Sequence, residues 1–180
     1  MTYNKDLNLI CADVDFDPDD ALTKKVKSFN VADGVILVMN SYGGDVNKAL
    51  DLYDYLKTRN FTTVVSAYCV SSCAQFIFLG AKNRYVLGDG TVLMHGAPFD
   101  DKELSSPKIP KAVLAPLISV NNRYRTFLKD NRIPSDLVVG GKQSTGYQVV
   151  LDGTALWMPS KLDYAAAGIA VNYCDAEKYK

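Results

Sequence analysis

An α/β fold with a mainly parallel sheet is predicted by three features of the sequence. Strand-length apolar runs alternate with segments whose apolar residues recur at helical spacing, from Leu7 to about Gly80. The run Val35 to Met39 is continuously apolar, as in a strand covered on both faces. The segments between successive strands are long enough for crossover helices, which is what parallel neighbours require.

Taken in order, Leu7 to Val14 is the first expected strand. Asp17-Pro18-Asp19-Asp20 then opens a helix with an aspartate N-cap, a proline in the first turn and acids at the positive end of the dipole. Leu22, Val26 and Phe29 supply its buried side. After the strand at Val35 comes the turn Asn40-Ser41-Tyr42-Gly43-Gly44-Asp45, and a second helix with Val46, Ala49, Leu50, Tyr53 and Leu56 on one face. A strand from Thr63 to Ala67 runs into Cys69-Val70-Ser71-Ser72-Cys73, and Ala74, Ile77 and Phe78 continue as a helix ended by Gly80. Tyr85 to Leu87 and Thr91 to Met94 are strands joined by Gly88-Asp89-Gly90, and the second delivers His95.

Phe99 to Pro110 is polar and bounded by proline, hence a loop. Val113, Leu117, Val120, Tyr124 and Phe127 mark a long helix stopped by Asn131 and Pro134, with Pro116 in its first turn or kinking it. Tyr147 to Leu151 and Thr154 to Met158 form a hairpin about Asp152-Gly153. Ser160 caps a last helix, Lys161 to Ala167, closed by Gly168 and followed by a short strand. A single domain, 1–180, is expected.

Twenty basic and twenty acidic side chains cancel, so the field favours neither nucleic acid nor an anionic membrane as partner. No apolar run approaches the roughly 20 residues of a membrane span. The first residues, Met1 to Asp6, contain no apolar signal core. The expectation for the chain as it stands is cytoplasmic, or periplasmic or otherwise exported if a leader has been removed. Nucleotide binding lacks both the Gly-Lys-Ser/Thr phosphate loop and the Gly-x-Gly-x-x-Gly fingerprint.

Cys11, Cys69, Cys73 and Cys174 are too few and too scattered for a disulfide framework. With one histidine they make a poor zinc set, and no metal is expected. Two readings of Cys69 and Cys73 stay open: small buried hydrophobes beside a helix start, or a disulfide in an oxidising compartment.

The chemistry is expected between Ala67 and Pro98. A serine at a helix start is commonly only a cap, and a histidine on an apolar strand is commonly only a core residue. Their order carries more. A Gly43-Gly44 turn follows one buried strand, Ser71 and Ser72 stand at the next strand-to-helix junction, and the chain's single histidine, His95, ends a third strand. Together these supply an oxyanion hole, a nucleophile and a general base.

Asn-Ser-Tyr-Gly-Gly-Asp-Val from Asn40, Ser-Ser-Cys-Ala-Gln-Phe-Ile-Phe-Leu-Gly-Ala-Lys-Asn-Arg from Ser71, and Val-Leu-Met-His-Gly-Ala-Pro from Val92 resemble the proteolytic subunit of the Clp protease and its relatives in the crotonase-like superfamily. The likeness spans about Val35 to Pro98, with weaker support from Ser160 to Ala170. It implies an α/β, ClpP/crotonase-like fold of repeated ββα-type units, with a projecting handle helix in the region 99–134. The implied activity is that of a serine endopeptidase: Ser71 as nucleophile, His95 as base, and N–H groups of the Gly43-Gly44 turn and of Ser72 around the oxyanion. Homo-oligomeric rings, a peptide or unfolded-protein substrate, a separate ATPase unfoldase and no cofactor are likewise implied.

Two departures from that pattern stand out. The proline before the glycine pair is Tyr42 here, which would line the substrate groove. The third catalytic residue, an aspartate, falls on an ungapped count at Gly140-Gly141-Lys142, where there is no acid; Asp152 is the candidate taken for it, with Asp136 as another. The Cys-x-Ser-x-Cys form resembles exported Clp-like proteins. Alternative readings are a catalytically inactive assembly subunit and an enzyme acting on acyl-CoA thioesters. The latter would need glutamates where this junction has Ser-Ser.

Overall fold

The computed structural model of the protein describes residues 1–96, 104–105, 109–151 and 153–174. Its elements are β1 (Thr2–Asn4), β2 (Leu9–Asp13), α1 (Ala21–Ser28), β3 (Ile36–Ser41), α2 (Val46–Leu56), β4 (Thr62–Val70), α3 (Cys73–Phe78, wound as a π-helix), β5 (Asn83–Leu87) and β6 (Thr91–Leu93). They continue as α4 (Lys111–Asp130), α5 (Ser135–Val139), β7 (Tyr147–Leu151), β8 (Thr154–Met158), α6 (Lys161–Ala166) and β9 (Asn172–Cys174). The main sheet has the order β1-β2-β3-β4-β5-β9, with β6 also paired to β4. Only β1 runs antiparallel to its neighbour; the β2-β3, β3-β4, β4-β5, β4-β6 and β5-β9 pairs are parallel. The α/β class and its parallel sheet are as the sequence predicts.

The sheet forks at β4, and a bulge makes the fork possible. Met39 pairs with Val65 but Ser41 pairs with Cys69, so two residues of β4 are extra to the ladder. These are Ser66 and Ala67. The Asn40 side-chain oxygen satisfies them, accepting from the Ser66 hydroxyl at 3.1 Å and the Ala67 N–H at 2.9 Å. Before the bulge β4 pairs with β5 through Thr62–Val65; after it, Tyr68–Val70 pairs with β6. The strand ending in Val70 therefore lies directly beside the strand that leads to His95.

Several expectations change in detail. The first strand begins at Leu9, and β1 adds an antiparallel edge not expected from the sequence. The first helix begins at Ala21 and leaves Pro18 outside it; Asp20, at φ 64°, precedes it without a side-chain cap, and Asp19 Oδ1 instead accepts from the Ala21 N–H. In β3, Leu37 and Met39 are fully buried while Ile36 and Val38 are only half-buried, so one face is covered more completely than the other. β4 runs three residues past Ala67. Every residue of α3 is buried, which explains why an apolar run without a polar face can be helical here. The Leu79 N–H reaches back to Ala74 O, the i→i−5 bond of π winding.

The long helix α4 starts at Lys111, which puts Pro116 in its second turn. Only the later half of its apolar series is buried: Tyr124 and Phe127 are, whereas Val113 is 45 % exposed. Phe127 meets Phe76 of α3 edge-on at 5.2 Å and Tyr53 of α2 at 4.8 Å, and Phe76 also meets Tyr124 at 5.9 Å. This aromatic cluster joins three helices over the sheet. Arg123 adds polar ties to Asp51 and Asp54 of α2, at 2.9 and 3.2 Å. Between the two helices lies a cavity of about 610 Å³ lined by Leu50, Tyr53, Ile118, Arg123 and Phe127 among others. The described part of the region 99–134 is mostly this helix, and the short α5 after Pro134 was not predicted.

The two kinds of tie predict different costs. Phe76 is fully buried, so Phe76→Ala is expected to cost about 3–5 kcal/mol in urea denaturation. Arg123 is about one third exposed and its ion pairs are screened, so Arg123→Ala is expected to cost about 1 kcal/mol or less.

Candidate active site

Val70 ends β4, and the next residue turns sharply. Ser71 has φ 54°, a left-handed conformation that costs a residue with a Cβ on the order of 1 kcal/mol. The turn is held from both sides. The Ser71 N–H donates to Leu93 O of β6 at 2.8 Å, and the Ser71 carbonyl accepts from the Gln75 N–H at 2.9 Å, the first turn of α3. The consequence is that the Ser71 side chain leaves the sheet at the start of a helix, with Oγ 2.6 Å from His95 Nε2. Ser72 behaves differently. It is 1 % exposed and its hydroxyl donates to Gly44 O at 2.8 Å, so its side chain is spent on structure.

The glycine turn is packed against this serine. A Cβ on Gly43 would stand 2.7 Å from Val70 O, 2.8 Å from Ser71 Cβ and 2.9 Å from Ser72 N, and its φ of 101° is unsuited to other residues. Gly44, at φ 120°, passes so close to Phe16 that any Cβ would collide with the Phe16 carbonyl. Phe16 fixes the turn through its N–H to Gly43 O at 2.7 Å and its carbonyl to the Asp45 N–H at 2.8 Å. The Gly43 N–H is occupied, donating to Ser41 Oγ at 3.0 Å. Among the described residues the N–H groups of Gly44 and Ser72 have no partner, and they flank Ser71 from the two sides of the junction.

His95 follows β6, where Met94 and Trp157 of β8 exchange both backbone hydrogen bonds, at 2.8 and 2.6 Å. Gln75, buried in α3, donates from Nε2 to Gly96 O at 2.5 Å and so fixes the backbone just past the histidine. His95 is exposed, yet the surrounding protein desolvates the ring enough to lower its pKa below the ordinary histidine value; a hydrogen bond with its own backbone pulls weakly the other way. The ring is neutral at pH 7. With the proton on Nδ1, Nε2 can accept from Ser71.

A hydroxyl bonded to a neutral imidazole, beside two free N–H groups at a helix start, can carry out nucleophilic acyl transfer. Residues 25–105, which contain all of these groups, match the family model described as Clp protease. Over that stretch the chain is similar to the Clp protease family. By fold it is similar to a solved structure, an Asn→Asp point mutant of ClpP1 from Listeria monocytogenes, with a TM-score of 0.62 over 97 % of this chain and 96 % of that one, at 15 % identity. No curated protein sequence matches it.

The structure brings Ser71 and His95 into contact and packs Gly43, Gly44 and Ser72 around them, with the Gly43 N–H turned to Ser41. Asp152 lies outside the described residues. Asp136 is described and stands elsewhere, its carboxylate packed against Gly141 in the loop after α5. Among the described residues no carboxylate is hydrogen-bonded to His95.

Cys69 and Cys73 form a disulfide, which decides between the two readings the sequence left open. Both cysteines are fully buried, and the bridge runs from the last turn of β4 to the first of α3, with Ser71 midway between. It therefore ties the two ends of the strained turn together. Three contributors were missed in the sequence. Asp15 accepts from Ser41 Oγ at 3.0 Å and from the Tyr42 N–H at 2.6 Å, shaping the glycine turn from 26 residues away. Gln75 had a local signal, as the one polar side chain in the run Cys73–Phe78. Phe16 had none beyond its proximity to the first strand.

If the Ser71 conformation carries strain, the two ways of deleting its hydroxyl will differ. Ser71→Gly is expected to be more stable than Ser71→Ala by about 1 kcal/mol in thermal or urea denaturation, because only glycine adopts this φ freely. Equal stabilities would show an unstrained turn.

Proposed function

We propose that this chain is a serine peptidase that cleaves peptide bonds through an acyl-enzyme. The observation that carries the reading is the 2.6 Å contact between Ser71 Oγ and a neutral His95 Nε2. Ser71 Oγ attacks the peptide carbonyl while its proton passes to Nε2, and the N–H groups of Gly44 and Ser72 receive the negative oxygen. Collapse breaks the C–N bond as the Nε2 proton moves to the leaving amine. Water, deprotonated by the same nitrogen, then releases the acyl group and restores the Ser71 hydroxyl.

The assigned roles are Ser71 as nucleophile, His95 as base and then acid, Gly44 and Ser72 as oxyanion donors, and Gly43 as the spacer whose missing Cβ admits Ser71. Asp152 is proposed as the residue that orients His95. The whole chain, 1–180, is taken as one peptidase domain, with α4 as a handle for self-association. The half-covered α4 face, with Val113 and Ile118 exposed beside the cavity on α2, supports assembly with copies of itself. A peptide or unfolded-protein substrate, with delivery by a separate ATPase, follows the family pattern.

No helix among the described residues is long and apolar enough to cross a membrane. The buried Cys69–Cys73 disulfide favours the exported alternative over the cytoplasmic one, since such bonds persist in oxidising compartments. The acyl-CoA reading has no support from the junction, where a serine hydroxyl faces the histidine.

Hydrolysis of unfolded casein and of short peptides tests the reading. The wild type is expected to turn over, and Ser71→Ala and His95→Ala to lose roughly 10³-fold or more in kcat/KM. Activity that survives Ser71→Ala would overturn it. The pH profile adds a second check. Protonation removes the base, so kcat/KM is expected to fall as pH drops, and because burial lowers the His95 pKa, the midpoint of that limb is expected below 6.5.

A further inference from the structure

The residue before the glycine turn is Tyr42, and its ring is stacked on Tyr68 of β4, with centroids 4.4 Å apart and planes 25° from parallel. Tyr42 is 55 % exposed. Tyr68 is half-buried against Val70, Leu93 and Leu156, so the stack holds the exposed Tyr42 ring on a fixed support, unlike a scattered surface ring. Tyr42 adjoins Gly43, whose missing Cβ leaves room for Ser71, and Tyr68 precedes Ser71 by three residues on the strand that delivers it. The pair therefore stands on both chain segments that build the serine's site, one residue from Gly43 and three from Ser71.

Two exposed carboxylates edge the rings. Asp13 accepts from the Tyr68 hydroxyl at 3.4 Å, and Asp15 holds the Tyr42 N–H at 2.6 Å. Among the described residues neither is in an ion pair. The Tyr68 phenol has its pKa raised by loss of solvent first and then by Asp13, with Tyr42 and Asp15 contributing, so the local field is negative. Aromatic faces and uncompensated carboxylates attract the same kind of group, a cation with a flat or polarisable head.

We propose that Tyr42 and Tyr68, with Asp13 and Asp15, form a subsite for an arginine or lysine side chain of the peptide substrate, next to the bond to be cut. The inference deepens the peptidase reading and rests on it. An aliphatic side chain would cover the rings but leave the carboxylates unpaired; an acidic one would be repelled by them. Arginine is preferred to lysine, because its planar head stacks on a ring and still reaches a carboxylate.

Binding tests this without requiring turnover. Acetylated, amidated alanine hexapeptides carrying one arginine, norleucine, phenylalanine or glutamate at either central position are titrated calorimetrically into the full chain bearing Ser71→Ala. The arginine peptide is expected to bind roughly tenfold tighter than the norleucine peptide, a gap that narrows as salt is raised. Adding Tyr42→Leu or Asp13→Asn is expected to bring that ratio most of the way to one, while Tyr42→Phe keeps it. Equal binding of the arginine and norleucine peptides, binding of neither, tightest binding of the phenylalanine peptide, or a ratio indifferent to Tyr42→Leu overturns the proposal. Arginine-selective binding with no hydrolysis of any peptide by the wild type would overturn the peptidase reading and leave the subsite standing. Hydrolysis with no arginine preference would do the reverse.

Discussion

The left-handed turn at Ser71 is the constraint on which the rest of the site depends. A residue with a Cβ holds φ 54° only where its surroundings determine it, and here they do so from every side. Leu93 takes its N–H, Gln75 its carbonyl, and Cys69 and Cys73 close around it as a disulfide. Gly43 must then pass within contact distance of its Cβ, which no other residue could do. The same turn that aims Oγ at His95 also leaves the Ser72 N–H unpaired at the start of α3. Geometry for attack and geometry for stabilising the resulting charge thus have a single origin.

The sheet serves that turn by forking. Had β4 continued along β5, His95 would have no reason to stand beside Ser71. The two-residue bulge, satisfied by Asn40, redirects the end of β4 onto β6, and the Met94–Trp157 bridge holds β6 from its other side. Gln75 then couples α3 to the backbone after His95, so the helix that carries the nucleophile turn also positions the base. A buried amide in an otherwise apolar helix is costly unless it is bonded, and the Nε2 of this one is spent on the element it must align.

Much of this was legible in the sequence because it rests on local chemistry. The alternation of strands and helices, the glycine pair after β3, the serine at a strand end and the histidine at the end of β6 all follow from short-range patterns. What was not legible depends on contacts between distant segments. The bulge at Ser66 and Ala67 is visible only once Asn40 is across from it. Asp15 and Gln75 act over separations of 26 and 21 residues, and neither polar side chain announces its partner. The state of Cys69 and Cys73 turns on redox environment as well as spacing, so both readings were reasonable. The periodicity of α4 marked one apolar face correctly, but could not say that Val113 and Ile118 would stay exposed while Tyr124 and Phe127 are buried.

The central claim is that one serine is activated by one histidine, and intact-mass measurement after exposure to a fluorophosphonate tests it most directly. Such a probe phosphonylates a serine only where a base and an oxyanion site support the attack. A single adduct is expected on the folded wild type, retained in Ser72→Ala and absent in Ser71→Ala and His95→Ala. A wild type that remains unlabelled while folded, or an adduct that follows Ser72, would contradict it.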